Sequence, residues 1–324
     1  MIVIGIESSA HTFGVGVVKN GKILANEKKM YDVGASGMIP AEVAEFHVEN
    51  SGEVLETALG KSGMNLEDVD GIGYTKGPGL GPCLQVGQMT AKTLATRLGV
   101  ELVPVNHSVA HVEITKHVTG LIDPVALYVS GGNSQILKID NKPYRHYRIL
   151  GETFDIGVGN MLDSFARAAG LKPAWGSTVA KLAEGGRYTA MPYTVKGMDF
   201  AFTGLLTRAT ELAAERKMED VCYSLQETSF AMLCEATERA LLLTNSVELC
   251  TCGGVAQSKR LKEMLGSVCD EHKIKFGFAS DDLNADNGAM IAVTAEKMLE
   301  QGYRAGPKEC GIEQRYRVDR AVVF

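Results

Sequence analysis

Apolar residues along the first third of the chain recur at two periods, and each period predicts an element. Residues 2–6 are a continuous apolar run that reads as a buried strand, and 12–19 alternate as a second strand. Asn20-Gly21 then supplies a tight turn into a third strand at 22–28. Helical spacing follows over 41–59 and 83–98, with short strands at 71–75 and 101–105, the second leading into His107. The predicted order is βββαβαβα. It restarts with a strand at 125–129, turns through Ser130-Gly131-Gly132-Asn133 into the alternating 135–139, and passes a long helix-rich middle. A helix at 224–244, a strand at 247–251, a helix at 257–270 and a last helix at 286–301 complete it.

Two related lobes are therefore expected. Residues 1–120 form the first, 121–302 the second with a helical insertion, and 303–324 a C-terminal segment returning to the first. Doubled βββαβαβα lobes around a central cleft are the plan of the actin, sugar-kinase and Hsp70 ATPase superfamily, so the expected fold class is α/β and actin-like. The length of 324 residues and 45% hydrophobic content suffice for two cores. No apolar run approaches the ~20 residues that cross a bilayer, and the N-terminal Met-Ile-Val-Ile-Gly-Ile-Glu lacks the basic region of a signal peptide, so a cytoplasmic protein with no membrane partner is expected. The seven cysteines are scattered and odd in number, which points to reduced thiols; Cys250 and Cys252 have no second pair at zinc spacing. A net charge of −6 argues against broad, charge-driven nucleic-acid binding and leaves room for local basic patches.

The chemistry-bearing motif is His107-Ser108-Val109-Ala110-His111. Two histidines four apart on a helix share one face, so two imidazole nitrogens can converge on one divalent ion. In the zincin pattern H-E-x-x-H the second residue is the catalytic base; Ser108 stands there, which favours metal binding over proteolysis. The bland alternative is a partly buried polar pair beside a cap at Asn106. Asp286 opens the last helix, as a cap that also turns its carboxylate toward the cleft, and completes a two-histidine, one-carboxylate set with open positions. Tyr128 adds a phenolic ligand or packs in the core.

Five glycine-bearing loops abut strand or helix starts: Gly77 to Pro82, Ser130 to Asn133, Gly157 to Asn160, Gly176-Ser177, and Gly253 to Ala256. There an unencumbered backbone can offer amides to phosphate. None is a Walker or Rossmann loop. Ser130 to Asn133, a hairpin tip in the second lobe, is the strongest candidate.

These residues closely resemble the universal tRNA threonylcarbamoyladenosine synthesis (TsaD-like) family in its archaeal and eukaryotic KEOPS-complex form. The resemblance rests on Gly5 to His11, Gly77 to Pro82, Asn106 to Glu113, Tyr128 to Asn133, Lys196 to Phe200, Gly253 to Ala256 and Asp286 to Ala292, and it spans essentially the whole chain. It implies a metal-dependent acyltransferase that moves threonylcarbamoyl from threonylcarbamoyl-AMP to N6 of the adenosine 3′ of the anticodon, in tRNAs reading codons that begin with A. It implies metal ligands His107, His111, Tyr128 and Asp286, with iron or zinc as the ion. It also implies a nucleotide, ATP or an adenylate, along Tyr128, Val129, Ser130, Gly131 and Gly132, with Asp163, Gly176 and Ser258 nearby. The implied partners are tRNA and the KEOPS subunits: an atypical small protein kinase, a small dimerising subunit and a tRNA-binding subunit.

The chain departs from the family where Ala180 replaces an acidic ribose ligand, Ser258 an asparagine, and Ala174 to Ser177 a Pro-Gly-Gly-Pro loop; Ile39 and Phe46 stand where histidines are common. Basic residues gather at Lys138, Lys142, Arg145 and Arg148, at Lys259, Arg260 and Lys262, and at Arg315, Arg317 and Arg320, the first and last groups being candidates for tRNA docking. Two competing readings are an ATPase or small-molecule kinase of the same superfamily, which leaves the histidines unexplained, and a non-catalytic scaffold, against which the retained metal set argues.

Overall fold

The computed structural model describes residues 1–33, 37–140, 146–305 and 310–321. Contacts divide the chain into two compact units. The first comprises Met1–Gly120, Asp140–Tyr147 and Ala279–Phe324; the second comprises Leu121–Ile139 and Arg148–Phe278.

In the first unit β1 (Ile2–Glu7), β2 (Thr12–Lys19) and β3 (Lys22–Met30) form an antiparallel meander turned at Asn20-Gly21, both at positive φ. Helix α1 (Pro40–Ser62) precedes β4 (Gly71–Gly77), which pairs parallel to β1; α2 (Gly81–Leu98) precedes β5 (Glu101–Asn106), parallel to β4; α3 (His107–Thr119) follows at once. Both faces of this sheet are covered, which is why β1 is apolar at every position up to Glu7. Ile4, Ile6, Ile72 and Tyr74 pack with Val54, Ala58 and Ala91 on one side, and Val3, Val103 and Val105 pack with Ala110 and Ile114 on the other.

The second unit repeats the plan with β6 (Val125–Val129), β7 (Ser134–Asp140) and β8 (His146–Glu152). Then come α4 (Val158–Ala168), α5 (Gly176–Ala183), the small hairpin β9 (Val195–Lys196) and β10 (Asp199–Phe200), α6 (Thr203–Leu212) and the long α7 (Met218–Thr244). The unit closes with β11 (Glu248–Cys252), α8 (Lys259–His272) and β12 (Lys275–Phe278). The sheets run β3-β2-β1-β4-β5 and β12-β11-β6-β7-β8. Numbered within its own unit, each reads 3-2-1-4-5, so the duplication inferred from the order of elements is also one of topology.

After α9 (Asp281–Asn284) the chain enters α10 (Gly288–Glu300) in the first unit. Here the boundary differs from the expected one, which gave 121–302 to the second lobe. The reason is a backbone-on-backbone contact that hydropathy does not register. A Cβ on Gly288 would lie 2.1 Å from the Gly16 nitrogen, one on Gly16 2.2 Å from the Ala289 nitrogen, and one on Gly5 2.1 Å from the Ala292 nitrogen. Helix α10 thus rests directly on β1 and β2 at positions only glycine can fill.

Candidate active site

The first unit brings three predicted ligands together. Strand β5 ends at Asn106, whose side-chain oxygen accepts the amides of Ser108 (2.9 Å) and Val109 (3.1 Å) and so caps α3. His107 is the first residue of that helix and His111 lies one turn on; their rings meet edge to face with centroids 4.7 Å apart. Asp286 Oδ1 lies 3.1 Å from His111 Nε2 and 3.5 Å from His107 Nε2. Asp286 does not cap α10, contrary to the sequence expectation. Asn287 does so, accepting the Met290 amide at 2.9 Å. That division of labour frees the Asp286 carboxylate for the histidines, while Lys28 Nζ holds the Asp286 carbonyl at 3.2 Å.

A fourth group completes the cluster. Glu7, fully buried at the end of β1, accepts from the Ser9 amide (2.6 Å) and the Thr75 hydroxyl (2.7 Å), and its Oε2 lies 3.0 Å from His107 Nδ1. This carboxylate fixes the His107 ring so that Nε2 faces Asp286, an arrangement typical of histidines that bind metal. The ligand atoms of His107, His111 and Asp286 all lie within 4.8 Å of one another. The histidine side chains are 8% and 0% exposed and that of Asp286 is 19% exposed, so the cluster is enclosed on the histidine side and open at the carboxylate. A second grouping, Glu238, Glu271 and His272, lies on the surface of the second unit and contains an ordinary ion pair of 2.6 Å.

The second unit holds the other predicted residues. Tyr128, Val129 and the tip Ser130 to Asn133 join β6 to β7, with the Ser130 amide donating to the Asn133 carbonyl at 2.8 Å. The start of α4 packs against this tip: Gly159 N and Asn160 N donate to the Ser130 and Gly131 carbonyls, and a Cβ on Gly157 would lie 2.4 Å from the Gly131 oxygen. Further along α4, Asp163 Oδ1 accepts the Gly176 amide at 2.7 Å, which joins those two residues. Gly253 abuts the end of β6, its Cβ position 2.4 Å from the Val129 carbonyl oxygen. Ser258 caps α8 through the Leu261 amide. The loop Gly77 to Pro82 belongs to the first unit, where its glycines are taken up by close approach of Ser9, Glu313 and Gln314.

The family model for TsaD, tRNA N6-adenosine threonylcarbamoyltransferase, matches residues 21–293. A tRNA N6-adenosine threonylcarbamoyltransferase of Thermococcus sibiricus is 45% identical over 326 residues, covering 100% of this chain and 99% of its own; one of Methanopyrus kandleri is 47% identical, covering 100% and 96%. The chain belongs to the TsaD family. It is accordingly a transferase that acts on tRNA. Among solved structures of similar fold, the 2-hydroxyisocaproyl-CoA dehydratase activator of Clostridium difficile superposes with a TM-score of 0.56 at 15% identity, covering 94% of this chain and 99% of its own. HypF of T. kodakarensis superposes with 0.65 at 16%, covering 93% and 48%. These likenesses establish the actin-like fold.

The electrostatics of the TsaD chain set the charge of the cluster. Burial disfavours every charge in it, yet the Glu7 and Asp286 carboxylates outweigh burial at His107 and hold its imidazole cationic, with a pKa of about 9. The His107 charge in turn keeps Glu7 and Asp286 ionised, both below their ordinary values against the penalty of burial. Burial pushes His111 down and keeps it neutral, an acceptor-bearing imidazole. Two carboxylates thus face one cationic and one neutral imidazole, and a divalent cation bound here would take the place of the His107 Nε2 proton, leaving a neutral imidazole as ligand. The part played by Glu7 was not legible in the sequence beyond its place in the Gly5 to His11 motif. Its one local signal is an acidic residue ending an otherwise apolar strand.

Proposed function

We propose that His107, His111 and Asp286 hold one divalent ion, Tyr128 being the further ligand that the family resemblance implies. The nucleotide part of threonylcarbamoyl-AMP lies along Tyr128, Val129, Ser130, Gly131 and Gly132, with Asp163 and Gly176 at the nucleoside. The observation that carries this reading is the convergence of two Nε2 atoms and one carboxylate oxygen within 4.8 Å, at a point buried on one side and open on the other. Two imidazoles, a carboxylate and a phenol suit iron, zinc or manganese, with iron or zinc preferred. When bound, such an ion supplies Lewis acidity that polarises a carbonyl or neutralises departing phosphate.

The chain's own residues do the rest. Glu7 holds Nδ1 of His107, so Nε2 keeps its ligand orientation through turnover. Backbone amides at the Ser130 to Asn133 tip receive phosphate charge. That reading is favoured by the ADPNP held by the structurally similar dehydratase activator. N6 of the adenosine attacks the carbamoyl carbon, the carbamoyl–phosphate C–O bond breaks with its electron pair leaving on AMP, and the proton shed by N6 passes to water, so no protein nucleophile is needed. Ser258, spent as a helix cap, and Ala180 leave the ribose with fewer polar contacts than the family pattern provides.

The proposed partners besides tRNA are the three KEOPS subunits named above. A probable bifunctional tRNA threonylcarbamoyladenosine biosynthesis protein of Thermoplasma acidophilum, 43% identical, supports association with a further protein, since the chain spans 60% of its length. Of the basic groups, Arg260 is engaged by Glu227 with two 2.7 Å bonds and Arg317 by Asp319 at 3.1 Å, while Lys142 and Arg145 lie outside the described residues. Lys138 and Arg148 of the first group and Arg315, Arg317 and Arg320 of the last are the proposed tRNA contacts. No helix among the described residues is long and apolar enough to cross a membrane.

Transfer of labelled threonine from threonylcarbamoyl-AMP into tRNA tests the reading. Wild type should label tRNA and His107→Ala/His111→Ala should not; equal labelling by both would reject the metal assignment.

A further inference from the structure

Residues 310–318, near the C-terminal end of the first unit, lie against the loop Gly77 to Pro82 and the start of α3. The contacts are mostly to backbone. The Tyr74 hydroxyl donates to the Gly311 carbonyl at 2.8 Å, Glu313 N donates to the Lys76 carbonyl at 2.8 Å, and Gly79 N donates to the Gln314 carbonyl at 3.2 Å. Gln88 Nε2 also bonds the Cys310 carbonyl. The Lys76 ammonium lies over the Tyr316 ring, 4.8 Å from its centre. The approach is so close that a Cβ on Gly77 would sit 1.8 Å from the Glu313 carbonyl oxygen. Cys310, Tyr316 and Val318 are buried, so this segment is part of the unit's interior.

One contact leads to the metal cluster. Asn106 Nδ2 donates to the Tyr316 carbonyl at 3.0 Å, a fully buried bond across 210 positions, while Oδ1 of the same amide caps α3 through Ser108 N and Val109 N. An asparagine amide carries its donor and acceptor on one carbon, in one plane and at a fixed angle, so fixing Nδ2 fixes where Oδ1 points. Oδ1 in turn fixes the first turn of α3, the turn that begins with His107. We infer that the C-terminal segment is a positioning element for the metal centre, acting through Tyr316 O and Asn106 on His107. The inference rests on the reading of His107, His111 and Asp286 as metal ligands.

The test uses the full-length protein and Co²⁺, with affinity measured by chelator competition and the visible absorption of the bound ion recorded alongside. Asn106→Ser keeps a capping oxygen but loses the donor to Tyr316. Gly77→Ala keeps the side chain of Asn106, its register partner on β5, and forces Glu313 off the loop. Each should weaken Co²⁺ binding by about tenfold or more and alter the spectrum, as loss of outer-shell support does. The double variant should be no weaker than the worse single, because both break one connection. Wild-type affinity in either single variant, or losses that multiply in the double, would overturn the inference. His111→Ala separates the two layers of the argument: if it binds Co²⁺ as tightly as wild type, the metal assignment itself fails; if it does not, the outcome for Asn106 and Gly77 bears on the C-terminal segment alone.

Discussion

Glu7 and His107, a hundred positions apart, share a buried bond of 3.0 Å between Oε2 and Nδ1, and through it the end of β1 aims the first residue of α3 at Asp286. Strand β1 pairs parallel to β4, and β4 to β5, so the carboxyl ends of the three strands gather where α3 begins. Open α/β sheets bind ligands at that end. Glu7→Gln should therefore weaken metal binding by about 10–100-fold while the fold persists. Equilibrium dialysis against zinc reads this directly, and unchanged affinity would remove Glu7 from the account.

Glu113 is a second buried carboxylate, two residues beyond His111. Its oxygens take Lys116 Nζ at 3.2 Å, Lys297 Nζ of α10 at 3.0 Å and the Tyr147 hydroxyl. Glu113→Leu removes the buried carboxylate that both ammonium groups share and should cost about 3–5 kcal/mol in urea unfolding. Adding Lys297→Met should restore part of that loss. A single variant as stable as wild type would show that the lysines find water instead.

Helix α10 lies on β2 at Gly288 and Gly16. Gly288→Ala places a methyl 2.1 Å from backbone that cannot step aside. The loss should reach or exceed the roughly 1–3 kcal/mol usual for overpacking, with a matching fall in Tm. Gly266→Ala, with open space around it inside α8, serves as the control and should hold or raise Tm.

Asp155 caps α6 from a distant loop, accepting from Ile156 N (2.7 Å), Phe202 N (3.0 Å) and Thr203 N (2.8 Å). Partial burial raises its pKa, but the Phe202 and Thr203 bonds outweigh this and hold the carboxyl at about 2. A depressed folded-state value means stabilisation that is complete above the unfolded value of about 3.9 and is lost as pH falls through 2. The Tm difference between wild type and Asp155→Asn should hold steady from pH 7 to 5 and shrink below pH 4. A difference that grows on acidification would contradict it.

Local pattern made the histidine pair, the Ser130 to Asn133 tip and the doubled strand order legible, because i, i+4 spacing and period-2 alternation are properties of short windows. Asp286 was expected to cap α10 and Asn287 does so instead, since the two are equally good capping residues and only the geometry separates them. Glu7 and Tyr316 act across 100 and 210 positions through bonds with no periodic signature. The placement of α10 depends on glycine-to-backbone contact at Gly5, Gly16 and Gly288, which hydropathy does not register.

The central claim is that His107, His111 and Asp286 form the one metal site on which transfer depends. Metal content per chain, measured after zinc or iron loading in the same samples assayed for threonine transfer to tRNA, tests it most directly. One ion per chain in wild type, with metal and transfer lost together in Asp286→Ala and both retained in Glu238→Ala, is the predicted result. Full transfer by Asp286→Ala chains that carry no metal would contradict the account.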